Sequence, residues 1–195
     1  MKKLVIFFLV LLMLSFYKGD FATETAIVVT PESSLVIKVK TNVNKFDCKF
    51  NVQNLNNPIP VFFKVENSKL VFEETSLVLK NSCFDCGSKG INKDFYNLLN
   101  SDVYPEVVLK LKEVKIDNYH KNWISAKIDI KIAGVVNSYN VPLKLEGEER
   151  MMIKGVLNLN ISDFNLEPPK KALGLIVVDE MIKIDLNLKV KEIGS

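Results

Sequence analysis

The stretch Ile124-Ser125-Ala126-Lys127-Ile128-Asp129-Ile130-Lys131-Ile132 decides the fold class, because every second position is apolar and the positions between carry Lys, Asp or Ser. A period of two is the period at which successive side chains point to opposite faces of a strand. The same alternation runs through Leu35-Val36-Ile37-Lys38-Val39-Lys40, through Val107, Leu109 and Leu111, and through Val141, Leu143 and Leu145. It returns at Ile153, Gly155, Leu157, Leu159 and Ile161, and at Ile182, Ile184, Leu186, Leu188 and Val190. Strands of a parallel sheet, buried on both faces, read as unbroken apolar runs; these strands have one polar face each, which is the mark of antiparallel sheet. Strands of this length separated by short polar turns predict an all-β sandwich or barrel.

One segment departs from the period. Ile91, Phe95, Leu98 and Leu99 fall at the three- and four-residue spacing of a helix face, with Asn92 as the expected N-cap and Asp94 in the first turn. Pro105 forbids continuation, since Tyr104 before it is pushed toward extended backbone. A single short helix is therefore expected, closing one end of the sheet structure.

Composition narrows function. The chain has 195 residues and a formal charge of +3, but Lys2, Lys3 and Lys18 lie in the first 19 residues, which contain no Asp or Glu. With these set aside, 23 cationic side chains balance 23 acidic ones. That balance lacks the electrostatic footprint of nucleic-acid binding. There is one His, one Arg and one Trp, so a catalytic triad, a His-rich metal site or an arginine clamp would have to be built from single copies. No nucleophile-elbow, zinc-protease or phosphate-cradling motif occurs. Glu148-Glu149 and Asp179-Glu180 are neighbouring carboxylates, which point to opposite faces of an extended chain. His120, between Tyr119 and Lys121, reads as an exposed turn residue. A non-catalytic protein without metal or cofactor is expected.

The N-terminus predicts the compartment. Met1-Lys2-Lys3 precedes the uncharged run Leu4 to Tyr17, too short for the ~20 residues that span a bilayer and suited to a signal peptide. Residues 1–19 are expected to be that signal, with cleavage near Gly19 or Ala22, and residues 20–195 the exported domain, periplasmic or secreted. In such a compartment disulfides are the default. Cys48, on the Phe46, Cys48 and Phe50 face, is expected to pair with Cys86 or Cys83, closing a loop of nearly 40 residues. A Cys83-Phe84-Asp85-Cys86 zinc or redox site is disfavoured, because a four-ligand zinc site would have only Cys48 and His120 to add and the pair does not open a helix in a βαβ unit.

Several stretches resemble the YceI-like family. Asn92-Lys93-Asp94-Phe95 through Leu98-Leu99-Asn100-Ser101-Asp102-Val103-Tyr104-Pro105-Glu106-Val107 is similar to that family's helix and its Tyr-Pro entry to the next strand. Ile130-Lys131-Ile132-Ala133-Gly134-Val135-Val136-Asn137-Ser138-Tyr139-Asn140-Val141 resembles its strand, Gly-containing turn and returning strand. Ser162-Asp163-Phe164-Asn165-Leu166, with the strand Met181 to Val190 behind it, resembles its Asp-Phe-Gly-Leu element and last strand. Three departures stand out. Ile161 replaces the family's Arg, Asn165 replaces its Gly while still reaching left-handed backbone, and Phe95 and Tyr96 replace its polar residues.

The resemblance implies a lipocalin-like antiparallel barrel of about eight strands that binds a polyisoprenoid lipid. A barrel of that size is just wide enough to be filled by its own side chains or to hold one small ligand. In the second case the lumen wall would be Ile37 and Val39, Phe50, Val107, Leu109 and Leu111, Ile124, Ala126, Ile128 and Ile130, Leu143, Leu157 and Leu159, Phe164, Ile184 and Leu186. The head of the lipid, an isoprenoid or a quinone, would meet Tyr104, Tyr139, Trp123 or lysines at the mouth. The membrane would serve only as lipid source, and a homodimer is left open. The competing reading is a structural or protein-interaction β domain with a filled core.

Overall fold

The structure is a computed structural model that describes residues 23–55, 57–116, 120, 122–147, 151–171 and 175–193. Residues 1–19, expected to be a signal peptide, and the pair Glu148-Glu149 lie outside the described residues. The strands are β1 (Thr23–Val29), β2 (Ser34–Lys40), β3 (Lys45–Phe50), β4 (Ile59–Glu66), β5 (Lys69–Glu73), β6 (Ser76–Lys80) and β7 (Phe84–Asp85). Helix α1 (Lys89–Leu98) follows. After it come β8 (Glu106–Ile116), β9 (Trp123–Ile132), β10 (Val135–Glu146), β11 (Met151–Asn160), β12 (Lys170–Lys171), β13 (Ile176–Val177) and β14 (Met181–Ile193).

All described pairings are antiparallel. The order β1-β4-β5-β8-β9-β10-β11-β14 closes on itself through β14 and β1, giving a ring of eight strands. The quoted alternation sets the register. Ile132, Ile130, Ile128, Ala126 and Ile124 of β9 all face inward, while Lys131, Lys127 and Ser125 are exposed. The β9–β10 turn is a two-residue connection with positive φ at both Ala133 (47°) and Gly134 (84°), the geometry whose twist matches a hairpin. Tyr104 packs on that turn so closely that a Cβ on Gly134 would lie 2.9 Å from its ring.

Two ring strands change partner part-way along. The second half of β14 pairs with β1 and its first half with β2, which carries β3 and β7 at its far edge. Likewise β8 pairs with β5 over Glu113 to Lys115 and with β6 over Glu106 to Lys110. At each change a backbone polar group would be orphaned, and a side chain or loop carbonyl meets it. The Lys189 N–H donates to the buried Ser33 hydroxyl at 2.9 Å, and the Leu111 N–H donates to the Thr75 carbonyl at 2.9 Å. The α1 end is thus bounded by β2, β3, β7 and β6 in place of β1, β4 and β5, one strand more, and a barrel's diameter grows with its strand number.

A third irregularity is the β10–β11 seam. Those strands share a ladder only from Leu143 to Glu146, opposite Met152 to Gly155. A Cβ at Gly155 would stand 2.3 Å from Leu143 Cδ2, so a side chain there would have to displace Leu143. Beyond the ladder the seam is filled by the 3-10 turn Ile161–Phe164, with Ile161 and Phe164 buried and Asn165 at φ 58° ending it in left-handed backbone. Ile161, expected at the end of a strand, therefore belongs to this turn.

Helix α1 begins earlier than its apolar spacing predicts. Ser88 is the N-cap, accepting from the Ile91 N–H, so Asn92 and Asp94 lie inside the helix. Asn92 instead accepts from the Cys86 N–H at 2.7 Å and donates to Asp85 at 3.2 Å, tying the helix to β7. The fully buried Asn81 donates to Ser101 Oγ at 2.9 Å and to the Tyr104 carbonyl at 2.8 Å, anchoring the segment after the helix.

Candidate apolar cavity under the helix

Where the barrel widens, its interior is hollow. A cavity of about 410 Å³ lies between α1 and the inner faces of β2, β8, β9 and β14. Alternation supplies most of the wall: Ile37 and Val39 from β2, Val107 and Leu109 from β8, Ile130 from β9, Leu159 from β11 and Ile184 from β14. The helix adds Ile91, Phe95 and Leu98, which is the apolar face read from the sequence. Among the described residues Asp94 is the one ionisable side chain of the lining, with Thr41 and Asn44 as its uncharged polar members.

The rim is held by backbone pairing between two hairpins. Asn42 donates from Nδ2 to the Leu175 carbonyl at 2.9 Å and accepts on Oδ1 from the Val177 N–H at 3.1 Å. Thr41 bridges Val178, and the Asp179 N–H donates to the Lys40 carbonyl at 2.9 Å. The turn after β2 is thus clasped to the segment around β13, which brings Val43, Ile176 and Val178 to the cavity. Val43 (66% exposed) and Leu175 (73%) leave large apolar side chains in solvent at this rim.

The other end of the interior is packed. Val61, Phe72, Val114, Ala126, Val141 and Leu143 form a buried cluster there, supported by Leu111, Ile124, Ile128 and Leu157. No residue of β1, β4, β5 or β10 lines the cavity.

No family model and no curated protein matches the chain. Solved structures do. The chain is similar to BcnA of Burkholderia cenocepacia with a TM-score of 0.63 at 16% identity, over 82% of this chain and 96% of that one. It is similar to a polyisoprenoid binding domain of Saccharophagus degradans implicated in plant cell wall breakdown, with a TM-score of 0.60 at 14% identity, over 86% and 98%. The YceI protein of Campylobacter jejuni follows at 0.50 and 15%, over 69% and 80%. The fold is YceI-like.

Within this YceI-like barrel the sixteen wall residues expected from the sequence separate into two groups. Ile37, Val39, Val107, Leu109, Ile130, Leu159 and Ile184 line the cavity. Leu111, Ile124, Ala126, Ile128, Leu143 and Leu157 belong to the packed end, where Ile124 also borders a surface hollow beside His120 and Trp123. Leu186 packs in the main core, Phe50 meets Phe84 edge to face with ring centroids 5.0 Å apart, and Phe164 fills the β10–β11 seam. The aromatic residues expected at the mouth lie elsewhere. Trp123 is at the opposite end of β9, Tyr104 covers the Gly134 turn, and Tyr139 stacks on Phe164 and donates to Asp163 Oδ2 at 2.9 Å. Burial first, and then that hydrogen bond to an ionised partner, push the Tyr139 hydroxyl up to about 12. The lining residues that alternation could not reveal, Val43, Asn44, Pro169, Ile176 and Val178, sit in turns and short bridges without a period.

A disulfide joins Cys48 to Cys86, and Cys83 is free. The β3–β7 register decides between the two partners. Lys49 opposes Asp85 and Phe50 opposes Phe84, so the next step back along β3 sets Cys48 against Cys86. Cys83 falls instead beside Asn51, whose N–H donates to its carbonyl at 2.8 Å. Asp85 accepts from the Gly87 N–H and from Asn92, which holds its carboxyl below the usual range and fixes the loop carrying Cys86.

Proposed function

We propose that this protein binds one apolar chain of isoprenoid type in the cavity between α1 and the barrel, for storage or transport, and catalyses no reaction. The cavity is the observation that carries the reading. A partly open hollow of about 410 Å³ with, among the described residues, a single ionisable lining side chain has the size of a small-molecule site and offers almost nothing but apolar contact. Each methylene transferred into it from water contributes about 0.8 kcal/mol. A hydrocarbon tail thus binds through burial alone. The similar polyisoprenoid binding domain of Saccharophagus degradans supports the choice of isoprenoid over other hydrocarbon.

Export is part of the same reading. The Lys2-Lys3 start with its uncharged run to Tyr17 supports a signal peptide, and the Cys48–Cys86 bond is of the kind that persists in an oxidising compartment. Lipid would be drawn from a membrane, with no nucleic acid involved. The test is displacement of a fluorescent hydrophobic dye from delipidated protein by farnesol or a short-chain quinone. Saturable one-to-one displacement is expected; a dye that neither binds nor is displaced would sink the proposal and favour an interaction domain with a protein partner.

A further inference from the structure

We infer that the cavity measures its ligand and accepts no more than three to four isoprene units, the remainder of any longer chain staying outside. The inference rests on the lipid-binding reading and adds the size class of the ligand to it.

Two independent lengths agree. Along β2 and the turn after it the lining runs from Leu35 to Thr41, six residue steps that span about 20 Å along the strand and about 15 Å along the axis of a barrel with ordinary strand tilt. A peptide unit of three bonds spans at most ~3.6 Å, about 1.2 Å per bond, so an extended isoprene unit of four main-chain bonds takes about 5 Å. Three to four units reach from rim to floor. Volume gives the same answer, because an apolar cavity of about 150 Å³ suffices for the six carbons of benzene. At that ratio the space of about 410 Å³ holds about 16 carbons, close to three units of five.

Beneath the lining, the floor is backed by side chains of β9 and β11 that do not themselves line the cavity. Ile128 lies two residues from Ile130 on β9 and opposite Leu111, and Leu157 lies two residues from Leu159 on β11 and opposite Ile184. Both also pack against the buried cluster of Val61, Phe72, Ala126 and Leu143, so a tail reaching them meets the packed end of the barrel. Close-packed interiors do not yield a further five-carbon slot without moving side chains.

The experiment is a chain-length series. Prenols of two, three, four, five and eight isoprene units, supplied from cyclodextrin complexes, are competed against the hydrophobic dye on the delipidated full chain. Affinity should rise at least tenfold per unit up to the third or fourth and less than twofold per unit beyond it. The variant pair Ile128→Ala and Leu157→Ala lowers the floor and should move the plateau outward by one unit. If that pair fails to fold, the series on the unaltered protein decides alone. Affinity still climbing at eight units overturns the length limit while leaving lipid binding intact. A failure of every prenol to compete overturns both.

Discussion

Leu109→Trp separates an open cavity from a filled core. Leu109 is an inward, partly buried residue of β8 and, of the two β8 side chains that line the cavity, the one nearer the packed end. The substitution adds six heavy atoms, the number in benzene, and so takes up about 150 Å³ of the available 410 Å³. About six carbons of a bound tail lose their place, an upper bound of about 5 kcal/mol; a tail that rearranges recovers part of this, and more than tenfold weaker binding is the conservative expectation. Stability should barely change, because the ring enters empty space and buries apolar surface of its own. In a filled core the same step overpacks and costs about 1–3 kcal/mol. Ala126→Phe supplies that contrast, since Ala126 is fully buried between Val114 and Val141 and should lose about 3 kcal/mol or more. Urea unfolding and dye displacement on both variants read the two quantities. A Leu109→Trp protein that is as destabilised as Ala126→Phe, or that binds the dye and farnesol unchanged, would refute the cavity.

Two further outcomes follow from the fold. With a separation of 38 residues, the Cys48–Cys86 bond constrains the unfolded chain by about 4 kcal/mol in the chain-entropy model. The Cys48→Ser, Cys86→Ser double variant should therefore unfold at a clearly lower urea concentration, and an unchanged midpoint would contradict the pairing. Tyr139 carries a hydroxyl whose pKa is raised in the folded state, so its contribution to stability is complete below about pH 10 and is lost as pH rises toward about 12, where the folded form finally ionises. Ultraviolet titration should show one tyrosine ionising late, and Tyr139→Phe should remove that step; a titration that keeps the late step in Tyr139→Phe would exclude the assignment.

The strands and their inward faces were legible in the sequence because a half-solvated antiparallel strand writes its register into every second residue. Ile124 to Ile132 is the plainest case, and the closed ring follows it position by position. The site was legible only in part. Alternation states that Ile130 and Ala126 share a face, but both are inward and apolar, and nothing local says that the space beside Ile130 is open while that beside Ala126 is full. That difference comes from the strand breaks at Ser33 and Thr75, which widen one end, and from Phe72 and Leu143, which cross the other. The helix start was missed because Asn92 is as good a cap by type as Ser88 and precedes the apolar spacing more closely; the Lys89-Gly90 pair between them carries no helical signal. The disulfide partner needed the β3–β7 register, which a two-residue strand cannot reveal by itself.

Native mass spectrometry of the protein purified from its own host tests the central claim most directly. The account predicts a stoichiometric apolar adduct whose mass, after organic extraction, corresponds to an isoprenoid chain. A clean apo mass together with no uptake of added prenol or quinone would contradict it.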